Sequence, residues 1–278
     1  ILAIALIVSA SCLALGAAQG IIASAPDVTS IDVSPEGYAT RIYDIDGNET
    51  QALSTSGSNR ISADIKDIPL TLQHAFVAIE DERFYEHNGI DIKGIVRAAS
   101  LVFTSGSMSQ GASTITQQLL KNNVFKAFNE TTIEKVKRKV QEQYLAVKLE
   151  TIMDKQTILE NYLNTINLGS GYYGVQSASK GYFGKDVSDL TLSECAVIAS
   201  ITQSPSNLNP ARNPDKNRER QLKVLKNMLE QGYITSQEYE EAVADDVYAR
   251  IQNNDVESAG TSTYSYFVDT VIEKVVSD

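Results

Sequence analysis

Residues 75–91 read AFVAIEDERFYEHNGID, an apolar run of helical period that carries a Glu-Asp pair in its middle. At about 3.6 residues per turn, Phe76, Glu80 and Phe84 fall on one stripe of a helix, and Gly89 is placed to stop it. Aromatic rings on both sides of Glu80 would remove part of its hydration, which favours the protonated carboxyl and suits general acid or base chemistry. A pair of solvated acids on an exposed helix is the alternative that this stretch alone leaves open.

The composition is that of a globular chain, long enough for one large domain or two small ones. Of its 278 residues, 42% are hydrophobic and 21% are charged, and the net charge is -11. Nucleic acid demands clustered positive charge, so this acidity argues against a nucleic-acid-binding protein. Cys12 and Cys195 form no disulfide framework, and because both lie in apolar segments we expect both to be small buried side chains.

The chain opens on an apolar segment with no charged residue before Asp27. About 20 apolar residues suffice to cross a bilayer as a helix. Small residues near Ala17 and Ala18 leave a secretory signal peptide open, but apolar character resumes at Ile21, which favours an anchor. We therefore expect residues 1–26 to be a transmembrane helix truncated at its start, with the rest of the chain outside the cytoplasm.

The chain after this segment is predicted to be mainly helical, with one small β element. Residues 39–54, ATRIYDIDGNETQALS, alternate apolar and polar side chains around Asp46 and Gly47, the pattern of a β-hairpin. From Ile68 onward the spacing of apolar residues is helical. Helix starts are expected near Ser113, at the capping box Thr191–Glu194 and near Thr235, with a further helix around residues 222–229.

A long helix is expected from about Thr132 to Ile152. Apolar residues line one face (Val136, Val140, Tyr144, Val147) and another (Leu145, Leu149, Ile152). Because it is apolar on two sides, the helix should run through the middle of the domain. Arg138 and Glu142 share a side with Leu145, so we expect this ion pair inside a cleft. A pair in open water, the alternative, would contribute little.

The Ser- and Gly-rich stretch TSGSMSQGAS, residues 104–113, is expected to be a mobile loop that leads into a helix. On that helix Thr114, Gln118 and Lys121 fall at i, i+4 and i+7 and form one polar stripe. A helix N-terminus with such side chains suits an anion such as phosphate, although a capped surface helix fits them equally. Residues 121–155 carry eight basic and five acidic side chains, an excess that would attract an anionic substrate.

Five stretches in this order resemble the five motifs of the peptidoglycan glycosyltransferase domain, the transglycosylase module of class A penicillin-binding proteins (glycosyltransferase family 51). They are EDERFYEHNGID, GASTITQQLLKN, RKVQEQYLAVKLE, KQTILENYLNTINLG and GVQSASKGYFGKDVSDLTLSECAVIASITQSPSNLNP. The resemblance covers roughly residues 65–244. It implies a lysozyme-like, two-lobed, mainly helical fold. It also implies that lipid II, a lipid-linked disaccharide-peptide, is polymerised with inversion into β-1,4 glycan strands at the outer face of the membrane.

The resemblance also implies roles for individual residues. Glu80, matching the first motif, would be the general base that deprotonates the acceptor's sugar hydroxyl. Glu142, matching the third, would assist departure of the donor's diphosphate, with Arg138 and Lys139 beside it. The other expected substrate contacts are Asp81, Phe84, His87, Thr114, Gln118, Lys121, Asn122 and Ser206. No cofactor is expected to be required, and assistance to Glu142 from a divalent cation, Mg²⁺ or Mn²⁺, is left open.

The expected organisation follows the same resemblance. Residues 1–26 are the anchor, 27–64 the β-hairpin and linker, 65–250 the glycosyltransferase domain, and 251–278 the start of a linker to a transpeptidase domain beyond Asp278. Expected partners are lipid II, the growing lipid-linked glycan chain, the bilayer and cell-wall synthesis proteins. The expected location is the cell membrane, crossed once, with the catalytic domain on the extracytoplasmic face.

Two other functions are weighed against this one. A lysozyme-type peptidoglycan hydrolase also uses carboxylates on a glycosidic bond, but it would not need Lys121, Arg138 and Lys139 converging on one place. A non-catalytic, membrane-tethered scaffold would keep the fold as a docking module. The presence of both Glu80 and Glu142 argues against the scaffold.

Overall fold

The computed structural model describes residues 2–38, 40–47, 49–53, 59–105, 112–125, 130–252 and 274. Within this part the chain is mainly helical, as predicted. It divides into two compact units, the first made of residues 1–34 and 76–162 and the second of residues 35–75 and 163–278. Most of the predicted Ser- and Gly-rich loop, and most of the expected C-terminal linker, lies outside the described residues.

The first unit is built from helices. In chain order these are α1 (Leu2–Ala23), the end of α2 (Leu70–Glu80), α3 (Ile92–Ser105), α4 (Ile115–Leu120), a π-helical turn (Lys121–Phe125), α5 (Thr132–Leu149) and most of α6 (Lys155–Thr165). Thr114 and Thr131 begin α4 and α5 with reciprocal capping boxes, which satisfy backbone N–H groups of the first turn. The fully buried apolar side chains include Phe76, Phe84, Leu119, Leu145, Ile158 and Tyr162.

Two helices differ from their predictions. The helix predicted to run to Gly89 ends at Glu80, and hydrogen-bonded turns follow it, so Phe84 does not stack on Glu80 along one helix. The long helix, α5, buries a single face, the one that contains Leu145 and Leu149. On the other predicted apolar face, Val136 and Val147 are 57% and 38% exposed. The prediction that α5 runs through the middle of the domain is therefore wrong. A folded surface retains many apolar atoms, so a second apolar stripe does not require burial.

The second unit contains the predicted hairpin. Strands β1 (Thr40–Tyr43) and β2 (Glu49–Leu53) pair in antiparallel fashion, with Thr40 opposite Leu53. Gly47 in the connecting turn has a φ of 83°, which a residue without a Cβ adopts at little cost. A second small sheet pairs β3 (Asn59–Arg60) with β4 (Tyr172–Tyr173) in parallel.

Four helices complete the described part of the second unit, together with the start of α2 and the end of α6. They are α7 (Val175–Phe183), α8 (Leu192–Ser200), α9 (Pro214–Glu230) and α10 (Ser236–Ala244). The helix starts predicted at Thr191 and Thr235 are confirmed, and both residues form capping boxes. Cys195 on α8 is buried as predicted, and burial raises the pKa of its thiol to about 12.

The apolar start of the chain forms α1, the first helix. Cys12 on this helix is exposed, so the prediction that it is buried is wrong. Leu13 and Leu15 nearby are also largely exposed, so Cys12 lies on a part of the helix that packs against little. In the part of the chain that the structure describes, no helix combines the length and the apolar character needed to cross a membrane.

A buried ion-pair network stabilises the second unit. Glu194 is fully buried, and its Oε1 lies 2.9 Å from Nζ of Lys185 and 3.0 Å from Nε of Arg250. Arg250 also pairs with Asp245 at 2.7 Å, and the Ser193 hydroxyl donates to the same carboxylate. The hydrogen bond from Arg250, together with that from Ser193, lowers the pKa of Asp245 from 3.8 to about 2.

We expect Asp245→Asn to lower the free energy of unfolding by about 1–2 kcal/mol near neutral pH. The pKa of Asp245 is lower in the folded chain than in the unfolded chain, so its stabilisation is complete above the unfolded value and is lost as the pH falls toward the folded value. Urea unfolding of both proteins measures the difference, which should shrink by about half at roughly pH 3. A difference that stays constant down to that pH would contradict the prediction.

Candidate active site

Glu80 is the last residue of α2 and is half-buried. Its Oε2 accepts a hydrogen bond of 2.9 Å from Nε2 of Gln118 on α4. The side-chain oxygen of Gln118 lies 3.4 Å from the hydroxyl of Tyr162, a fully buried residue of α6. Gln118 therefore ties the carboxylate of Glu80 to α4 and orients it.

Asp81 follows Glu80, and its buried carboxylate is held inside the unit. Its Oδ2 accepts a hydrogen bond of 2.9 Å from the backbone N–H of Ile115, the first residue of α4. Nε2 of His87 lies 2.9 and 3.0 Å from its two oxygens. The N-terminus of a helix attracts negative charge, and here Asp81 supplies it. The sequence left open either an external anion such as phosphate or a capped helix at this N-terminus; in the structure the carboxylate of Asp81 accepts the N–H of Ile115, and Thr114 caps the helix.

Thr114 and Gly89 join the turns after Glu80 to α4 and α5. Thr114 caps α4, is buried, and donates its hydroxyl to the carbonyl oxygen of Gly89 at 2.8 Å. Gly89 has a φ of 85°, and a Cβ built on it would lie 2.7 Å from the backbone nitrogen of Val147 and closer still to the carbonyl group of Ala146. The turn therefore packs directly on the backbone of α5, and only glycine fits there.

We expect Gly89→Ala to lower the free energy of unfolding by about 2–4 kcal/mol, because it adds a clash with helix backbone to the cost of a positive φ. Gly232→Ala is the matched control. Gly232 has a φ of 75° but open space around its Cβ position, so it carries only the conformational cost, about 1 kcal/mol. Chemical unfolding of both variants measures the difference. Equal losses would contradict the close approach to α5.

Glu142 lies fully buried on α5 and is paired with two cations. Arg138, one turn earlier, forms an ion pair with Oε1, and Nζ of Lys139 lies 2.7 Å from Oε2. Arg138 is also buried and contacts Glu130 at 2.8 Å. The hydrogen bond to Glu130, together with that to Glu142, raises the pKa of the Arg138 guanidinium. The prediction that this pair is covered together with Leu145 is confirmed.

The basic groups differ in how they are presented. Arg138 forms ion pairs with two carboxylates, those of Glu130 and Glu142. Lys139 is 45% exposed, and its ammonium also donates to the Ser113 hydroxyl at 3.1 Å, just before α4. Lys121, at the C-terminal end of α4, is exposed. Lys139 and Lys121 are therefore accessible to an anionic ligand, whereas Arg138 is buried and paired with Glu130 and Glu142.

Three other predicted residues differ in their surroundings. Asn122 is exposed next to Lys121 in the π-helical turn, and π-helical turns are frequent at functional sites. Phe84 is fully buried and makes an edge contact with the His87 ring at 6.2 Å between centroids. Ser206 is exposed in the second unit, in the segment between α8 and α9. The first unit thus brings together residues of the first three predicted motifs.

The sequence analysis did not identify the residues that attach α1 and the segment after it to the helices of this site. Nε2 of Gln141 on α5 donates to the carbonyl oxygen of Ile21 at 3.2 Å and lies 3.1 Å from the hydroxyl of Ser24. Asn123 of the π-helical turn donates to the carbonyl oxygen of Val33 at 2.5 Å. A signal was available for Gln141: it is a polar residue on the apolar stripe that contains Leu145, and buried polar side chains need a partner.

The fit of a divalent cation at Glu142 can be judged from its carboxylate. Arg138 occupies one oxygen and Lys139 the other. Hard cations are bound by several oxygen ligands, so a divalent cation at Glu142 would compete with both basic side chains. Across the described residues, no cluster of three or more His, Cys, Asp or Glu side chains is placed to hold a metal ion.

A protein-family comparison decides the family. The model of the family described as "Transglycosylase" matches residues 46–229. The chain belongs to the transglycosylase family. The matched segment contains every residue that the sequence predicted for the site, from Glu80 to Ser206, and it includes the second strand of the hairpin. The N-terminal helix α1 lies outside the transglycosylase match.

Curated relatives of this transglycosylase chain are penicillin-binding proteins. Penicillin-binding protein 1A of Vibrio cholerae is 46% identical over 71% of this chain and 23% of its own length. Penicillin-binding protein 1A of Aquifex aeolicus is 44% identical over 78% of this chain and 29% of its own length. The chain therefore spans roughly a quarter of the length of these relatives.

A solved structure also matches the transglycosylase chain. The crystal structure of penicillin-binding protein 1A from Haemophilus influenzae aligns with 88% of this chain and 24% of that protein, with a sequence identity of 23% and a TM-score of 0.43. Membership of the family rests on the sequence comparison alone.

Proposed function

We propose that this chain is the peptidoglycan glycosyltransferase module of a longer protein and that it polymerises lipid II into β-1,4 glycan strands with inversion. The observation that carries the proposal is that α4 and the residues just before it connect a carboxylate, Glu80, with a basic side chain, Lys139. Glu80 is hydrogen-bonded to α4, and Lys139 of α5 is hydrogen-bonded to Ser113 just before α4. Membership of the transglycosylase family supports the same reaction class.

Glu80 acts as the general base. Glycosyl transfer to a sugar hydroxyl requires that the hydroxyl lose its proton as it attacks the donor. The hydrogen bond from Gln118 holds the Glu80 carboxylate in a defined orientation for this step. A positioned base of this kind contributes about 10²- to 10⁴-fold to the rate. Holding both sugars in line contributes a further share of the acceleration.

The basic residues receive the departing diphosphate. Lys139 and Lys121 are accessible, and their charges would neutralise the negative charge that develops on the leaving oxygen. Glu142 holds Arg138 and Lys139 in place through its two oxygens. Attack on the face opposite the diphosphate inverts the anomeric carbon, so an α-linked donor becomes a β-linked chain.

The remaining predicted residues divide into supports and contacts. Asp81, Phe84, His87 and Thr114 have buried side chains that bond or pack within the first unit, so we assign them to holding the site in shape. Asn122 and Gln118 are proposed contacts to the substrate beside Lys121. Ser206 is proposed as a further contact to the substrate.

We also propose that residues 1–26 attach the chain to the cell membrane as a single span, with the module on the extracytoplasmic face. The absence of charge before Asp27 and the exposed side chains of Leu13 and Leu15 support this. Gln141 fastens the end of α1 to α5, the helix that carries Glu142. Such a connection would keep the site close to the bilayer surface, where a polyprenyl-linked substrate lies.

The wider organisation is part of the same proposal. The glycosyltransferase domain would span residues 65–250 and have a lysozyme-like, two-lobed fold. Residues 27–64 would be the hairpin and linker, and residues 251–278 would begin a linker to a transpeptidase domain. Lipid II, the growing lipid-linked chain and cell-wall synthesis proteins are the proposed partners.

Incubation of the chain with lipid II in detergent tests the proposed activity. We expect high-molecular-weight glycan to accumulate and polyprenyl diphosphate to be released. Release of fragments from preformed glycan, with no reaction of lipid II, would favour the hydrolase instead. Failure to act on either substrate would favour the scaffold.

A further inference from the structure

We propose that Thr116, Glu150 and Lys155 form a buried positioning triad for the active site. The Thr116 hydroxyl donates to Oε1 of Glu150 at 2.5 Å, and Nζ of Lys155 lies 2.7 Å from Oε2. The same ammonium lies 4.4 Å from the centroid of the Phe84 ring. This inference rests on the proposed function, because the site that the triad positions is the proposed glycosyltransferase site.

The burial of the triad sets it apart from an ordinary surface ion pair. Thr116 is fully buried, the Glu150 side chain is 4% exposed, and the Lys155 side chain is 23% exposed. Taking a charged pair out of water costs more than its attraction returns unless other groups satisfy both charges. Here Thr116 donates a hydrogen bond to Oε1 of Glu150, whereas Oε2 and the Lys155 ammonium have no hydrogen bond among the described residues and depend on the ion pair between them. Because burying the Glu150–Lys155 pair costs free energy, the pair favours the one arrangement of surrounding side chains in which both charges are partnered.

The triad connects the three helices of the site. Thr116 lies on α4, two residues before Gln118, which orients Glu80. Glu150 caps the C-terminal end of α5, the helix that carries Glu142, and Lys155 begins α6. A displacement of Glu150 or Lys155 would therefore shift α4, and with it Gln118, the residue that orients Glu80.

Phe84 provides a second route from the triad to α4. A cation over an aromatic face is attracted by the ring, more strongly when water is excluded. The Phe84 ring contacts His87, which is bonded to Asp81, and Asp81 accepts the N–H of Ile115 at the start of α4. Both routes from Lys155 end in the first turn of α4, one at Ile115 and the other at Thr116.

Replacement of Lys155 tests the triad. Lys155→Met keeps the length of the side chain and removes its charge, and Lys155→Arg keeps the charge. We expect Lys155→Met to lower the kcat of lipid II polymerisation about tenfold, with the KM for lipid II changed less than about twofold, because small misplacement of reacting groups is costly. Lys155→Arg should retain at least about a third of the wild-type kcat.

Lys185→Met is the matched control, because it removes a cation from Glu194, a fully buried glutamate of the second unit. It should lower stability without changing the kcat of the folded protein. Hydrogen exchange supplies a readout that does not depend on activity. We expect backbone amides of residues 81–89 and 115–120 to exchange about tenfold faster in Lys155→Met, and at the wild-type rate in Lys155→Arg and Lys185→Met.

Two outcomes would overturn the inference. One is wild-type kcat together with wild-type exchange rates in Lys155→Met, and the other is an equal loss of kcat in Lys155→Arg. If the wild-type chain forms no polymer from lipid II, the proposed function fails, and the exchange rates alone decide whether the triad holds α4. If Lys155→Met does not fold, Glu150→Gln is measured in its place, with the same expected fall in kcat and the same overturning result.

Discussion

Glu80→Gln is expected to lower the rate of lipid II polymerisation by about 10²- to 10⁴-fold while the protein stays folded. An amide cannot take the proton of the attacking hydroxyl. It has nearly the shape of the carboxylate, and its oxygen can still accept the hydrogen bond from Gln118. The loss should therefore appear in kcat and not in the binding of lipid II. Initial rates of polyprenyl diphosphate release measure it directly.

Glu82→Gln is the matched control for that experiment. Glu82 lies two residues further along the chain, is 41% exposed, and pairs with Arg97 at 2.9 Å and Arg83 at 3.1 Å. Exposed pairs of this kind contribute little to stability, so the polymerisation rate should stay within about twofold of wild type. Polymerisation by Glu80→Gln at the rate of this control would contradict the assignment of the base.

Glu142→Gln is expected to lower the free energy of unfolding and to weaken the binding of lipid II. It removes the carboxylate between Arg138 and Lys139, and the loss of one partner from a buried pair leaves an uncompensated charge. Because Arg138 keeps Glu130, we expect a loss of about 2–4 kcal/mol in the free energy of unfolding. The KM for lipid II should rise at least about tenfold, because the two cations are no longer held toward the diphosphate.

The matched control for Glu142→Gln is Glu194→Gln in the second unit. Glu194 is also fully buried and also lies between two cations, Lys185 and Arg250. It should cost a similar amount of stability and leave the KM for lipid II unchanged. Urea unfolding and steady-state kinetics on both variants separate the two effects. An equal rise of KM in Glu194→Gln would show general loosening of the protein and contradict the local role of Glu142.

Features of the fold set by neighbouring residues were predictable from the sequence. The hairpin around Gly47 and the capping boxes at Thr191 and Thr235 depend on side chains within a few positions of one another, and all are confirmed. The buried side of α5 was also predictable, because Arg138 and Glu142 repeat at the spacing of its core residues.

The end of α2 was not predictable in the same way. Asp81 terminates it by bonding to His87 and to the N–H of Ile115, which lies 34 positions along the chain. The same bond places a carboxylate of the protein at the N-terminus of α4, where the sequence left open either an external anion or a simple cap. A helix N-terminus favours an anion, but the sequence cannot show whether that anion is a ligand or a carboxylate of the protein itself.

The positioning triad was missed for a related reason. Glu150 and Lys155 are five residues apart on either side of a helix break, so they lack the i,i+3 or i,i+4 spacing by which a pair is recognised in the sequence. Their burial comes from Thr116 and Phe84, which are distant in sequence. Patterns along the chain indicate which face of one helix is covered, but they do not indicate which side chains of other helices cover it.

Steady-state kinetics of lipid II turnover by Glu80→Gln, Glu142→Gln and wild type test most directly whether Glu80 takes the proton and Glu142 positions the basic side chains. A carboxylate that only takes a proton should change kcat, and one that holds the diphosphate-binding cations should change KM. We predict a fall in kcat of at least about 10²-fold with nearly constant KM for Glu80→Gln, and a KM at least about tenfold higher for Glu142→Gln. Wild-type kcat in Glu80→Gln, or the same change of KM in both variants, would contradict the account.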